Sequence, residues 1–520
     1  MKFALPKSLL GALFTAFFTA LCVIYAFDAS AQVRPDKVIA GDSVRRTARL
    51  QALRELQTDI DALVDAPEWH GATLGISVVA LETGEIIYQH DADKYFTPAS
   101  TQKLFTTAAA LTLLGADYTM RTSLYLDGKV KSNGEFEGNI IIRGGGDPSW
   151  SRPFGRAPET MLDAWADVLD SLGIQSIKGN LIGDDDVFDD EAYAPGWSWD
   201  DLVYSYAAQV NGLAIMDNSV HLNILPLSGL LDVPTIRVVP PTDYVRVITA
   251  LRSVDSSGVT SVSPQRDFRS NTIDLVGSIS TKTPFDTLSS HVSIENPTMY
   301  FVSLFKDALV RKGIRFRGAS VDVDDWNDPL EYDRYKLLAE VSSPPMSQLI
   351  SVINHQSHNL GAEMLFKTLG HDIGGEGSFE KGAEVVRQWT QKSGIATSDL
   401  TIVDGSGLSR LNLCTPRQLA ALLSTMHRGP LFAPYYASLA APGETGTLRR
   451  RLVGTRAERA VRAKTGSMNN VSTLAGYVTT RDGEPFAVAI MLGNVVVPTA
   501  MAQNLQDLVC MRLASFSRKP

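Results

Sequence analysis

The chain has 520 residues, with 57 acidic and 48 basic side chains and a formal net charge of −9. This moderately acidic balance excludes the basic surface on which nucleic-acid binding depends, and three cysteines are too few for a disulfide-stabilised scaffold. The length exceeds what one hydrophobic core usually holds, so we expect two or three domains.

The first 31 residues have the pattern of a secretory signal peptide. Lys2 and Lys7 form a positively charged start, residues 9–27 are apolar, and residues 29–31 have the sequence Ala-Ser-Ala of a cleavage site. The apolar run is long enough to cross a bilayer, so an uncleaved anchor is the alternative. We predict cleavage after residue 31 and export across the inner membrane to the periplasm.

A hairpin followed by a buried helix is predicted next. Residues 74–90 are apolar on both sides of a turn at 82–85, which is typical of a β-hairpin. Thr97 offers an N-cap and Pro98 a first-turn residue for a helix over 103–114. Because that helix is apolar on nearly every face, we expect it inside a domain.

The remaining patterns divide the chain into a split domain and an insertion. From 121 to 334 short strands alternate with turns, around an acidic loop with tryptophans over 184–201, so we predict an inserted β-rich region, in one domain or two nested ones. Helical patterns return after 340, and a strand pair and a helix close the chain. We therefore predict one α/β domain formed by residues 32–120 and 335–520.

Disulfide and metal sites have little support in the sequence. Cys414 and Cys510 are the cysteines that remain after cleavage; they can pair in an oxidising compartment or stay as buried free thiols, and both alternatives are open. His355, His358 and His371 come closest to a metal cluster, but no familiar acidic ligand spacing accompanies them. We expect no metal site and no cofactor.

Three short motifs follow one another in a fixed order. A Ser-x-x-Lys motif, Ser100–Lys103, lies at the start of a predicted helix; a Ser-x-Asn motif, Ser357–Asn359, lies between two helices; and a Lys-Thr-Gly motif, 464–466, precedes a strand. Each motif alone is weak, since Ser-x-x-Lys recurs at Ser303–Lys306 and Ser378–Lys381. Their order and structural context are what make the combination specific.

The first two motifs suit nucleophilic catalysis. Residues three apart share a helix face, so Lys103 can reach the hydroxyl of Ser100, which needs a base to become a nucleophile. Lysine can be that base only when its pKa falls well below about 10.4, and burial, the helix N-terminus and the charge of Lys464 would all lower it. Ser357 can relay the proton, and Asn359 can fix Lys103 and a substrate amide.

The third motif suits binding of a carboxylate. Lys464 and Thr465 offer a cation and a hydroxyl to a substrate carboxylate, with Gly466 beside them, and the backbone N–H groups of Ser100 and Ser467 can form an oxyanion hole. Taken singly, these residues have simpler interpretations: a helix-capping serine, a loop asparagine and a lysine at a surface strand end. The trio in order makes those interpretations much weaker.

With these motifs the sequence resembles the penicillin-interacting serine acyltransferases. Within them it is most similar to the D-alanyl-D-alanine carboxypeptidase/endopeptidase family of the penicillin-binding protein 4 type. The resemblance extends over nearly the whole mature chain and includes the segments LETGEIIYQHDADKYFTPASTQKLFTTAAAL, IIRGGGDPSW, APGWSWDD, IVDGSGLSR and AKTGSMNNVSTLAGYV. It implies a penicillin-binding/β-lactamase-like fold, in which a central antiparallel sheet has helices on both faces.

The resemblance also implies an activity and its partners. The family removes terminal D-Ala from peptidoglycan stem peptides and splits D-Ala-diaminopimelate cross-links, here through an acyl-enzyme on Ser100, and β-lactam antibiotics acylate the same serine. It implies no nucleic-acid partner. The preference between carboxypeptidase and endopeptidase activity, the rate of deacylation and the oligomeric state stay open.

Family members hold the diaminopimelate side chain with three residues: an Asp in the insertion, an Arg after the DGSGLS motif and a residue just past Lys-Thr-Gly. By resemblance these are Asp184, Arg410 and Met468. Asp185 and Asp186 adjoin the first of them, and a slip of one residue would change that assignment.

Two residues near the motifs have no assigned chemistry. His358 is expected to face solvent or to modulate proton transfer, and Glu363 to support the helix that follows.

Two alternatives to a DD-peptidase are considered. A serine β-lactamase or esterase on the same fold is one alternative; it is weakened because Ser357 is not Tyr and no motif for a glutamate base is present. A non-catalytic peptidoglycan-binding protein is the other, and the intact motifs argue against it.

Overall fold

The computed structural model describes residues 35–225, 233–284 and 288–519, with side chains described from residue 47 onward. The predicted signal peptide lies outside these residues. Residues Glu55–Ser517 form one compact unit, which holds the sheets and the candidate site. No helix within the described ranges is both long enough and apolar enough to cross a membrane.

Helices and strands alternate along most of the described residues. The α-helices are α1 (Pro35–Val64), α2 (Lys103–Leu113), α3 (Pro158–Ser171), α4 (Pro297–Arg311), α5 (Met346–His355), α6 (Asn359–Gly374), α7 (Phe379–Lys392), α8 (Pro416–Arg428), α9 (Phe432–Ala437) and α10 (Thr499–Ser515). The β-strands are β1 (Thr73–Ala80), β2 (Ile86–His90), β3 (Arg121–Val130), β4 (Glu135–Arg143), β5 (Ser176–Lys178), β6 (Leu181–Asp184), β7 (Ser219–Leu225), β8 (Thr235–Val239), β9 (Arg246–Val254), β10 (Ser261–Arg266), β11 (Thr272–Ser280), β12 (Ser289–Ser293), β13 (Arg315–Phe316), β14 (Ser320–Asp322), β15 (Lys336–Ser342), β16 (Val461–Met468), β17 (Val471–Thr479) and β18 (Pro485–Gly493). The sequence patterns predict β1–β2, α2 and the closing β17–β18–α10, which the structure confirms, but they do not predict α1.

The central sheet combines the two ends of the described chain. It has five antiparallel strands in the order β16-β17-β18-β1-β2. Successive side chains of β17 point to opposite faces: Ser472 accepts a hydrogen bond from Gln506 of α10, and Tyr477 donates one to the carbonyl of Leu423 in α8. Helices therefore cover both faces, which confirms the predicted α/β class.

Helix α2 is buried, as its apolar sequence predicts. Every side chain from Lys103 to Leu111 is buried, and the helix packs against α5, α6, α7 and α8. The predicted N-cap at Thr97 is wrong. The chain enters α2 through a 3₁₀ turn over Ala99–Gln102 whose own cap position is Pro98, with no side-chain cap. The cap positions Pro98 and Gln102 both have right-handed helical backbone angles rather than the extended conformation of a capping residue.

The region predicted as an insertion is β-rich. It contains a seven-stranded sheet, in which β13-β5-β4-β3-β15 are extended by β6 and β14, and two three-stranded sheets, β10-β11-β9 and β12-β7-β8. Helices α3 and α4 pack against each other beside the larger sheet. Strand β15 pairs with β3, so this sheet continues past residue 334. The domain limits themselves stay a prediction.

Candidate active site

The Ser-x-x-Lys motif brings a buried amine to a serine hydroxyl. Ser100 lies in the 3₁₀ turn before α2, and Lys103 begins the helix. The Lys103 Nζ atom is 3.1 Å from Ser100 Oγ, 2.7 Å from Asn359 Oδ1 and 2.8 Å from the Ser406 carbonyl oxygen. The lysine side chain is fully buried. The first two motifs, far apart in sequence, therefore meet at one amine.

Burial changes the proton affinity of both motif lysines. Burial lowers the pKa of Lys103 to about 7, although the nearby carboxylates of Glu363 and Asp404 oppose this. Lys464 is also fully buried, and burial together with the charge of Lys103 holds its pKa well below the usual range. An amine is thus available at neutral pH, which a solvated lysine does not provide.

The Ser-x-Asn motif lies between α5 and α6. Ser357 has a φ of 60°, a left-handed conformation that non-glycine residues seldom adopt, and it lines a cleft with Ser100. Asn359 is the first residue of α6; besides accepting from Lys103, it donates from Nδ2 to the carbonyl of Tyr206 at 2.7 Å. The motif therefore connects the lysine amine to the loop that contains Tyr206.

His358 does not face solvent, contrary to the simpler expectation. Its Nδ1 accepts the backbone N–H of Gly361 at 2.9 Å and so caps α6. With Nδ1 as an acceptor, Nε2 carries the proton and donates to Asp217 Oδ1 at 3.0 Å. His358 therefore stabilises the N-terminus of α6, the helix that begins with Asn359.

The Lys-Thr-Gly strand passes directly beside the nucleophile. A Cβ atom on Gly466 would lie 2.9 Å from Ser100 N and 2.2 Å from Thr473 Oγ1, so only glycine allows this approach. Thr473 on the neighbouring strand β17 donates to the carbonyl of Pro98 at 2.8 Å. These contacts fix the turn that contains Ser100 against β16.

The DGSGLS segment, residues 404–409, packs against the same turn and is called the platform below. Gly407 has a φ of 83°, and a Cβ atom there would lie 1.8 Å from the Ala99 carbonyl oxygen. The carboxylate of Asp404 organises the segment by accepting four hydrogen bonds, from Gly407 N, Ser409 N, Asn412 Nδ2 and Trp197 Nε1 at 2.8, 2.6, 2.7 and 3.0 Å. The DGSGLS and APGW segments of the sequence therefore meet at one buried carboxylate.

Sequence reasoning missed Glu363. We expected it to support α6 only, but its fully buried carboxylate accepts the N–H groups of Gly405 and Ser406 at 2.7 and 2.8 Å. Burial raises the pKa of Glu363 to about 8, and Asp404 adds to the effect. A glutamate within an otherwise apolar helical segment is a usable signal, because a buried carboxylate needs polar partners.

The first two motifs, together with the residues that follow Lys-Thr-Gly, open onto a cleft of about 370 Å³. Arg410 at its edge donates to the carbonyl of Asn469 at 3.1 Å. The loop over 184–201 contributes Asp201, whose Oδ1 accepts from the hydroxyl of Tyr206 at 2.7 Å. The lining comprises Ser100, Gly196, Ser198, Asp201, Tyr206, Ser357, Asn359, Gly407, Leu408, Arg410, Ser467, Met468 and Asn469.

Asp184 does not line this cleft, so that assignment is corrected. It is the last residue of β6, its carboxylate is buried, and it accepts from the hydroxyl of Tyr332. Neither neighbour replaces it, since Asp185 accepts from Thr298 at 2.6 Å and Asp186 opens onto a different hollow. Sheet pairing holds Asp184 in β6, whereas Asp201 lies in the loop that reaches the cleft.

Cys414 and Cys510 are free thiols rather than a disulfide. Both are fully buried, and burial raises their pKa values, which makes them poor nucleophiles. Among the described residues, no group of three or more His, Cys, Asp or Glu side chains is arranged to hold a metal ion.

Comparison with known proteins identifies the family. The pattern of the D-Ala-D-Ala carboxypeptidase 3 (S13) family matches residues 56–515. A D-alanyl-D-alanine carboxypeptidase of Actinomadura sp. (strain R39) is 32% identical over 480 residues, or 89% of this chain and 85% of that protein. The D-alanyl-D-alanine carboxypeptidase DacB of Haemophilus influenzae is 26% identical over 423 residues, or 80% of this chain and 84% of that protein.

A solved structure shows the same fold. The crystal structure of penicillin binding protein 4 from Haemophilus influenzae aligns with a TM-score of 0.76 at 24% identity, and the alignment covers 88% of this chain and 99% of that one. The chain therefore belongs, as its motifs predict, to the D-Ala-D-Ala carboxypeptidase 3 (S13) family and is a serine-type carboxypeptidase.

Proposed function

We propose that Ser100 is the nucleophile of this DD-peptidase, acting on the terminal D-Ala-D-Ala of peptidoglycan stem peptides and on D-Ala-diaminopimelate cross-links. The observation that carries the proposal is the set of three contacts made by Lys103 Nζ. A neutral amine has two N–H donors and one lone pair. The donors suit Asn359 Oδ1 and the Ser406 carbonyl, which leaves the lone pair for the hydroxyl proton of Ser100.

In acylation, Lys103 takes the proton of Ser100 as Oγ attacks the carbonyl carbon of the penultimate D-Ala. The N–H groups of Ser100 and Ser467 stabilise the negative oxygen. When the C–N bond breaks, Lys103 returns the proton through Ser357 to the leaving amine, which is D-alanine or the amine of a cross-link. Water then attacks the ester by the same route, and Oγ recovers its proton.

The Lys-Thr-Gly motif suits the terminal carboxylate of the substrate. Lys464 is buried and its pKa is held down in the free enzyme, and a carboxylate nearby would favour its ammonium form. Thr465 offers a hydroxyl, and Gly466 lets the strand lie close to the scissile bond. The carboxylate of the bound substrate would thus balance the positive charge of protonated Lys464.

The lining of the cleft also suits a zwitterion. Asp201 and Arg410 both line it, and a carboxylate with a guanidinium matches the ammonium and carboxylate groups at the end of a diaminopimelate side chain. Met468, also at the lining, offers apolar contact to its methylene groups. Asp201 thereby takes the role that the sequence assigned to Asp184.

Two further proposals concern inhibition and location. Penicillin binding protein 4 of Haemophilus influenzae has been solved in complex with a β-lactam, at a TM-score of 0.71 and 23% identity to this chain. We infer that β-lactams acylate Ser100 here, and that the insertion over 121–334 supplies Asp201 to the split catalytic domain. Export to the periplasm, guided by residues 1–31, would place the enzyme beside its substrate.

The test uses purified residues 32–520 with a cross-linked muropeptide dimer and a pentapeptide monomer, each with and without penicillin. Mass spectrometry should detect released D-alanine or split dimer, and penicillin should block it. Ser100→Ala should abolish both reactions, whereas Ser303→Ala, in the unrelated Ser-x-x-Lys of α4, should retain them. Full turnover by Ser100→Ala would refute the mechanism, and rapid hydrolysis of penicillin without peptide turnover would favour a β-lactamase.

A further inference from the structure

We propose that Glu363 is a positioning residue for Lys103, because it holds the loop that orients the amine. The proposal rests on the proposed role of Lys103 as the base. Glu363 lies one helical turn after Asn359 on α6, so both side chains are on one face of that helix. Asn359 contacts the amine directly, and Glu363 acts on it through the loop.

The connection from Glu363 to Lys103 is short and buried. Glu363 Oε1 accepts the N–H of Ser406 at 2.8 Å, and Oε2 accepts that of Gly405 at 2.7 Å. The carbonyl of Ser406 in turn accepts from Lys103 at 2.8 Å. A shift of this loop would therefore move one of the acceptors that aim the lone pair of the amine at Ser100.

The two N–H groups require a carboxyl group, because each of its oxygens can accept. Both oxygens of Glu363 are acceptors, which suits two donors held by one loop. A glutamine at this position would satisfy one donor and turn its own NH₂ group towards the other. An apolar residue would leave both N–H groups buried without partners, which is unfavourable.

The titratable groups around the amine do not give Glu363 an electrostatic role below neutral pH. Lys103 is faced by the side chains of Glu363, Asp404 and Lys464, and Glu363 is also within reach of Lys367. Because burial raises the pKa of Glu363 to about 8, its side chain is mostly uncharged at the pH where Lys103 loses its proton. The structure therefore connects Glu363 to the amine through the loop.

The experiment measures single-turnover acylation by a chromogenic β-lactam between pH 5 and 9. Glu363→Gln should lower the maximal rate by about tenfold or more, since small misplacements of catalytic groups have such effects. The acid limb of the rate profile, over which Glu363 is mostly uncharged, should stay near that of the wild type. Thr106→Val removes the hydroxyl that donates to the carbonyl of Gly405 at 2.8 Å; it should slow the reaction without moving that limb.

Two more variants complete the test. Glu363→Asp keeps the carboxyl group but is too short to reach both N–H groups, so the rate should fall while the acid limb stays near that of the wild type. Glu384→Gln removes an exposed carboxylate that is paired with Lys381 and should change neither quantity. If Glu363→Gln does not fold, Glu363→Asp still decides: acylation at the wild-type rate would overturn the positioning role.

An unchanged maximal rate in folded Glu363→Gln would refute the positioning, and so would a loss of rate that comes only from a shift of the acid limb. These outcomes differ from a failure of the proposed function. If acylation of the wild type did not depend on Ser100, the function and this inference would fall together. If it did depend on Ser100 and Glu363→Gln behaved as wild type, this inference alone would fall.

Discussion

Replacing Asp201 by Asn should reduce activity on diaminopimelate substrates selectively. The substitution keeps the shape of the side chain and removes its charge. In the structure one carboxylate oxygen accepts from Tyr206, which leaves the other for a substrate ammonium. A hydrogen bond to a charged group contributes about 1.5–3 kcal/mol. Because Asp201 is only partly buried, solvent screening favours the lower end, so we expect kcat/KM to fall about tenfold.

The assay compares kcat/KM for a pentapeptide with diaminopimelate and for one whose third residue has an uncharged side chain. Asp201→Asn should lose activity on the first and little on the second. Asp200→Asn is the matched control, since this neighbour is exposed and does not line the cleft. Asp184→Asn should leave selectivity unchanged. An equal loss on both peptides, or a larger selective loss in Asp184→Asn, would refute the assignment.

Two other predictions follow from the buried amine and the platform. Burial lowers the pKa of Lys103 to about 7, and only the neutral amine can accept the proton of Ser100. Single-turnover acylation should therefore fall about tenfold for each pH unit below 7. A rate that is flat from pH 5 to 8 would contradict this. Gly407→Ala should destabilise the fold by about 2–5 kcal/mol and slow acylation, because its Cβ meets the Ala99 carbonyl. Gly394→Ala, with a φ of 80° but open space, should cost only about 1 kcal/mol in thermal unfolding, and equal losses in both variants would exclude the clash.

Much of the site could be predicted because short-range rules govern its parts. The Ser100–Lys103 spacing follows from helix geometry, and the apolar sequence of α2 predicts the burial that lowers the pKa of Lys103. Asp201 could not be separated from Asp184 in this way, because both belong to one acidic loop region and only tertiary structure decides which carboxylate reaches the cleft. The wrong N-cap at Thr97 has a similar origin, since the close approach of the next turn to Gly407 is a tertiary contact that a local helix signal does not contain.

The strain and buried charge of this site suit catalysis more than stability. Ala99 and Ser357 both adopt left-handed φ values, and Lys103, Lys464 and Glu363 are all fully buried. Each feature costs free energy in a folded protein. They lie in one region of the fold: the turn at Ala99 presents Ser100, and burial lowers the pKa of Lys103 to about 7. The platform of Asp404 and the carboxylate of Glu363 then hold this unfavourable arrangement in one geometry, so the family segments outside the three motifs maintain the reactivity that the motifs provide.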